Sequence, residues 1–148
     1  MKAIFLIALC FFTVYSKPFL PKEKVAKNGG EVQITDCTHG PYATIDYMDA
    51  TPEYVTPGDT VRTQVSIVAK GYVYTQEIDV KVTLNGMEEF EDSVGAFGQL
   101  NEGDMFDYHY EYYLPSDAKP GKWEIRIILS EISMQPVSCT QTTFDLEP

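Results

Sequence analysis

Residues 105–130 most constrain what this chain can fold into. Phe106, Tyr108, Tyr110, Tyr112 and Leu114 occupy every second position, with Asp107, His109 and Glu111 between the aromatics. A period of two predicts a strand with one face in an interior and the other in water. Leu114-Pro115 ends that strand, and the turn dipeptide Pro120-Gly121 restarts the chain. Trp123, Ile125, Ile127 and Leu129 then alternate with Glu124 and Arg126. The spacing predicts a hairpin whose two strands present their apolar faces side by side. The rest of the chain must then supply an opposing wall.

The same period recurs along the sequence. Val32 and Ile34 alternate between Glu31 and Cys37, and His39-Gly40-Pro41 turns the chain into Ala43, Ile45 and Tyr47. Beyond the turn Thr56-Pro57-Gly58-Asp59 lie Val61, Thr63, Val65, Ile67 and Ala69, and beyond Gly71 lie Ile78, Val80, Val82 and Leu84. Asn85-Gly86 is the strongest hairpin signal, yet residues 87–104 read as a long loop of acids, glycines and isolated aromatics. Eighteen residues is long for a connection in a compact domain and hints at a working loop. Thr140, Thr142, Phe144 and Leu146 alternate at the end. About seven short strands without a helical stretch predict an all-β fold, a two-sheet antiparallel β-sandwich. The antibody pattern does not fit, because Trp123 stands only 16 positions before Cys139 and the two downstream cysteines are 102 apart.

A chain of 148 residues has room for one domain with a real core. Lys2, the apolar run 3–14 and Val14-Tyr15-Ser16 read as a secretory signal peptide spanning 1–16, too short to cross a bilayer. Residues 17–30, with Pro18, Pro21 and four lysines, read as a flexible leader, and 31–148 as the domain. No later stretch is apolar enough for a transmembrane helix, so a soluble protein is expected. Loss of Lys2 takes the formal charge from −11 to −12, which disfavours nucleic acid and anionic lipid surfaces as partners. Cys10 leaves with the signal, and Cys37 and Cys139 remain as an even pair in an oxidising compartment. An intramolecular disulfide is expected, against an intermolecular bridge or two free thiols.

Catalytic signals are weak. His39 lies in a turn and His109 on the polar side of its strand, neither beside a nucleophile motif, and exposed histidines are the simpler reading. No phosphate-binding loop, dinucleotide signature or zinc motif is present. Glu88, Glu89, Glu91 and Asp92 lack the spacing of a calcium loop and read as a solvated acidic segment. No cofactor, metal or catalytic residue is expected. The tyrosines say more. A phenol buried without a partner costs about 1–3 kcal/mol, so Tyr108, Tyr110 and Tyr112 on one inward face need water, a polar guest or the sheet margin. A cavity between the sheets and an ordinary core with marginal tyrosines both satisfy that need.

The order of Cys37, Ile45-Asp46-Tyr47, Thr51-Pro52, Pro57-Gly58-Asp59-Thr60, the Ile78/Val80/Val82 strand and Gly103-Asp104 resembles the ML lipid-recognition family. Leu114-Pro115, Pro120-Gly121-Lys122-Trp123, Cys139, Phe144 and Leu146 complete a likeness covering nearly all of the chain after the leader. The resemblance is to its phosphatidylglycerol/phosphatidylinositol transfer proteins and Niemann–Pick sterol carrier. It implies an immunoglobulin-like sandwich whose sheets splay to admit one lipid, and pairing of Cys37 with Cys139. The family's additional central disulfide has no counterpart here, which implies a looser 87–104 segment.

The expected function is therefore a non-enzymatic lipid-binding and transfer protein, secreted or in the endosome–lysosome lumen and monomeric, holding a phospholipid or sterol. The absence of an Asn-linked glycosylation sequon argues against sugar-dependent lysosomal sorting. Val65, Ile67, Val80, Val82, Phe106, Tyr108, Tyr110, Trp123, Ile125 and Ile127 are expected to line the pocket. Phe90 and Phe97 are expected at its mouth, in transient contact with a membrane. The competing expectation is an adhesion or immune-recognition sandwich with a solid core.

Overall fold

A computed structural model describes residues 29–148; the expected signal peptide and all but the last two residues of the 17–30 leader lie outside the described residues. Ten strands follow in order: β1 (Gly30–Glu31), β2 (Gln33–Asp36), β3 (Ala43–Thr51), β4 (Tyr54–Val55), β5 (Thr60–Ala69), β6 (Val73–Leu84), β7 (Met87–Leu100), β8 (Met105–Tyr113), β9 (Gly121–Glu131) and β10 (Pro136–Leu146). They form a five-stranded sheet in the order β2-β10-β9-β6-β7, a three-stranded sheet β3-β5-β8, and the small pair β1-β4. All pairings are antiparallel. The two larger sheets pack face to face as the expected β-sandwich.

Alternation sets the inward faces. On β5, Val61, Thr63, Val65, Ile67 and Ala69 are buried, while Arg62 and Gln64 between them are exposed. On β6 and β9, Val80, Val82, Ile125 and Ile127 each have 1% or less of their surface exposed. These two strands are in register, Val80 opposite Ile127 and Val82 opposite Ile125. Trp123 stacks on Phe144 of β10 at 6.4 Å between ring centroids.

The sheets are joined unevenly. The chain passes between them through residues 37–42, 70–72 and 101–104, all at the end of the sandwich where Ala43 pairs with Ala69. Hydrogen bonds from Ala69 N to Asp104 O and from Gly103 N to Ala69 O knit that end together. At the opposite end one crossing, residues 114–120, joins the sheets. There the β1-β4 pair contacts β10, which leaves the β7–β8 side without a strand across it.

Three expectations are corrected. First, β8 and β9 are not a hairpin: β8 pairs with β5 and β9 with β6 and β10, so their apolar faces confront each other across the sandwich. The connection between them is long enough to change sheets, and Pro115 and Pro120 keep it from forming a tight turn. Second, residues 87–100 are a strand, not a loop. Asn85 (φ 51°) and Gly86 (φ 80°) make the left-handed turn that closes the β6–β7 hairpin. β7 is an edge strand, buried deeply on neither face except at Leu100, and its register shifts twice, so no alternation marks it. Third, Gly30, read as leader, is strand β1, packed so closely on Asp145 that a Cβ would lie 2.1 Å from its carbonyl oxygen.

Cys37 and Cys139 form the expected disulfide, with Cα atoms 4.8 Å apart, pinning the end of β2 to β10. It closes a loop of 102 residues, and removing such a bond from a small domain costs about 2–5 kcal/mol. Replacing both cysteines with serine should lower the unfolding free energy by that amount, read as an earlier midpoint in chemical denaturation.

Candidate functional site

β8 positions the site. Phe106, Tyr108, Tyr110, Tyr112 and Leu114 turn inward, and Met105, Asp107, His109, Glu111 and Tyr113 are exposed. Each tyrosine meets a different need. The Tyr108 hydroxyl shares a 2.7 Å hydrogen bond with Ser138 Oγ of β10, fully within the interior. Tyr110 donates to Asp92 Oδ2 of β7 at 3.0 Å. Among the described residues the Tyr112 hydroxyl has no hydrogen-bond partner, and its ring lies 5.7 Å from that of Phe90. Burial is the main cause that raises all three phenols above their ordinary pKa, Tyr108 and Tyr110 to about 12. For Tyr110 the Asp92 carboxylate adds to the rise, and for Tyr112 the charge of Glu89 does.

Between β7 and β8 the two sheets are therefore held by few contacts. Phe106 packs under Gly98, where an added Cβ would stand 2.9 Å from the ring; Asp92 bonds Tyr110; Phe90 meets Tyr112. Gly98 lies towards the stitched end and Phe90 towards the loosely joined one. At the latter a cleft of about 400 Å³ opens, lined by Phe90, Tyr110, Tyr112 and Trp123 with Glu89 and Pro115 among its remaining walls. A smaller hollow of about 160 Å³ adjoins it through Glu89, Pro115 and Trp123.

The expected pocket residues divide into two groups. Phe90, Tyr110 and Trp123 come together in the cleft. Val65, Ile67, Val80, Val82, Ile125 and Ile127 lie instead in the packed centre of the core, with 1% or less of their surface exposed. Tyr108 is buried among them and Phe106 packs at their edge. Phe97 is 73% exposed on β7 and does not line the cleft. Sequence reasoning left out Tyr112, Glu89 and Pro115 as cleft residues. Tyr112 shares the period of Tyr108 and Tyr110, so its placement was available; Glu89 was not, since its direction depends on a bulge.

The interior also carries hydroxyls. Thr63 of β5 and Thr142 of β10 bond across the sheets at 3.2 Å, and Thr140 Oγ1 is buried without a partner among the described residues. Elsewhere, a cleft of about 390 Å³ lies on the outer side of the large sheet, walled by the disulfide, Pro41, Tyr42, Ile128 and Pro136. Arg126 at its rim is engaged by Glu124 and Gln141. His39 and His109 are both exposed. Among the described residues no cluster of His, Cys, Asp or Glu is arranged to hold a metal.

No protein-family model matches the chain, and no curated protein does. Solved structures do. A Niemann–Pick type C2 protein from the Japanese carpenter ant superposes with a TM-score of 0.56 at 8% identity, over 75% of this chain and 96% of that one. Chicken MD-1, crystallised with lipid IVa, gives a TM-score of 0.48 at 14% identity over 79% and 90% of the two chains. The carpenter-ant structure shows that the fold is the one the sequence resemblance implied.

Tyr108 provides a test of the interior. Its folded pKa, about 12, lies above the ordinary value of 10.0. The folded state thus holds the proton more tightly, and its contribution is complete below pH 10 and lost as pH rises through 12. A shift of this size corresponds to about 2–3 kcal/mol. Titration of phenolate absorbance should show a late-ionising tyrosine that Tyr108→Phe removes. The same variant should be less stable by roughly 1–3 kcal/mol, because Ser138 loses its partner.

Proposed function

We propose that this protein binds one lipid between its sheets and carries it between membranes, without catalysis, in a secreted or endolysosomal setting. The observation that carries the reading is the aromatic cleft at the end where a single crossing joins the sheets. Its floor, Trp123, belongs to the core itself. A cleft of about 400 Å³ lies in the lower range of ligand sites and accepts part of a lipid. To take the rest, β7 has to swing away from β8 about the 101–104 turn. β7 is paired on one side only, and its movement opens the sandwich edge beside Val80 and Val82 of β6, its neighbour in the sheet, to the entering chain. Each methylene that leaves water there contributes about 0.8 kcal/mol, which offsets the separation of the two layers. The fold shared with a Niemann–Pick type C2 protein and the sequence likeness to lipid-recognition proteins support the same reading. The disulfide suits an oxidising compartment.

The packed centre supports a second reading, a surface-acting recognition module with a solid core. Incubation with mixed-lipid vesicles, re-isolation, organic extraction and mass spectrometry separates the two. Close to one lipid per chain is expected for the carrier, and a clean extract overturns it. Tyr110→Phe removes the hydrogen bond to Asp92 across the seam and should speed lipid uptake several-fold, consistent with a contribution of about 1 kcal/mol. Glu89→Trp, at the exposed rim of the cleft, should block uptake without shifting the thermal unfolding midpoint. A solid-core module would show neither effect.

A further inference from the structure

The cleft has a chemical character that narrows its guest. Among the described residues, five of the eight that line it are aromatic, two are glutamates, and none is a lysine or arginine. Aromatic rings present a negative face to a cation and hold quaternary ammonium groups in cage-like sites. The two carboxylates add to that field in different degrees. Glu111 shares its charge with Arg62 at 3.6 Å, both about half exposed, whereas Glu89 has no ion-pair partner among the described residues.

The placement of Glu89 is built into the strand. In the β6–β7 ladder Val82 pairs with Phe90 and Thr83 with Glu88, so Glu89 is the extra residue of a bulge. A bulge re-aims the side chain it carries. Without it, Glu89 would project opposite to Phe90; with it, both line the same cleft. Its charge reaches the Tyr112 phenol, whose pKa it helps to raise.

From this geometry we infer that the cleft receives a trimethylammonium group, the cationic end of a phosphocholine lipid, with Phe90, Tyr112 and Trp123 supplying ring faces and Glu89 the counter-charge. The inference rests on the lipid-carrier reading and specifies the head group. A primary ammonium suits the site less well, since it is strongly hydrated and the walls offer rings in place of its water. An anionic head group would meet two carboxylates. Among the described residues Lys119, in the adjoining hollow with Asp117, is the one cation lining either space.

Trp123 is the only tryptophan in the chain, so its emission reports on the cleft. The test titrates the whole protein, below micelle concentrations, with dodecylphosphocholine, dodecyl maltoside and dodecyl phosphate, with calorimetry as a second readout. Dodecylphosphocholine should bind roughly tenfold more tightly than the other two, in line with a cation–ring contribution of 1–2 kcal/mol. Glu89→Gln should remove most of that preference and leave dodecyl maltoside binding unchanged. Glu91→Gln, on the same strand as Glu89 and opposite Lys81 of β6, should leave both the preference and dodecyl maltoside binding unchanged. Equal affinity for all three amphiphiles, or a preference that Glu89→Gln does not touch, overturns the head-group inference and leaves the carrier standing. Failure of all three to bind overturns both. Choline chloride acting alone, at the concentrations where dodecylphosphocholine acts, upholds the cation site but refers it to the free head group and removes the lipid.

Discussion

Where the chain crosses between the two sheets decides what the molecule can do. Three crossings and the disulfide gather at one end, and one crossing serves the other. Apart from these crossings, the short β1–β4 ladder and the Val32 N to Glu53 O hydrogen bond on the β10 side, inter-sheet contact is side chain on side chain. A sandwich stitched in this way is stiff where its links are dense and weakest at the corner farthest from them. That corner is the β7–β8 margin near Phe90 and Tyr112, and the aromatic cleft lies there. The position of the site thus follows from connectivity before any side chain is considered.

The interior reinforces this gradient. Apolar residues from β5, β6 and β9 fill its centre, while β10 contributes Ser138, Thr140 and Thr142 to the same space. Two of those hydroxyls find partners on the small sheet, Tyr108 and Thr63, and so fasten β10 to β8 and β5. The fastening lies on the β10 side of the large sheet, away from β7. At the β7 side the corresponding bond, Tyr110 to Asp92, is only partly buried. Water can replace it there at a small net cost, because a half-exposed phenol and carboxylate are hydrated once they part. The same hydrogen-bond chemistry is therefore a clasp in one place and a latch in the other.

Much of the fold was legible because period-two alternation survives wherever a strand has one wet and one dry face. β5, β6, β8, β9 and β10 all satisfy that condition, and the sequence marks each of them. β7 does not satisfy it, and residues 87–100 looked like a loop for that reason. The relation of β8 to β9 was also hidden. Alternation says which residues face inward but not which sheet owns a strand, and a seven-residue link containing two prolines fits either arrangement. The site was legible in part. Aromatics on an inward face implied a need for polar partners, which Ser138 and Asp92 meet. The depth of the expected pocket was not legible, since Val82 or Ile125 would show the same pattern in a packed core as in a cavity wall.

The acids of β7 show how one composition serves two ends. A fourteen-residue edge strand invites pairing with another copy of itself, and charge along the edge is the common defence. Glu88 and Glu91 fit that role, on the outer side near Lys81, where Glu88 forms a 2.7 Å ion pair. Edge protection requires only that such charges face water. It does not account for a bulge that turns Glu89 towards a ring of aromatic side chains, where its field falls on the Tyr112 phenol. Placing a carboxylate among aromatic rings has an electrostatic cost wherever it meets the negative face of a ring, and a cation between them reverses its sign. The direction of Glu89, more than the acidity of the strand, gives the cleft its preference.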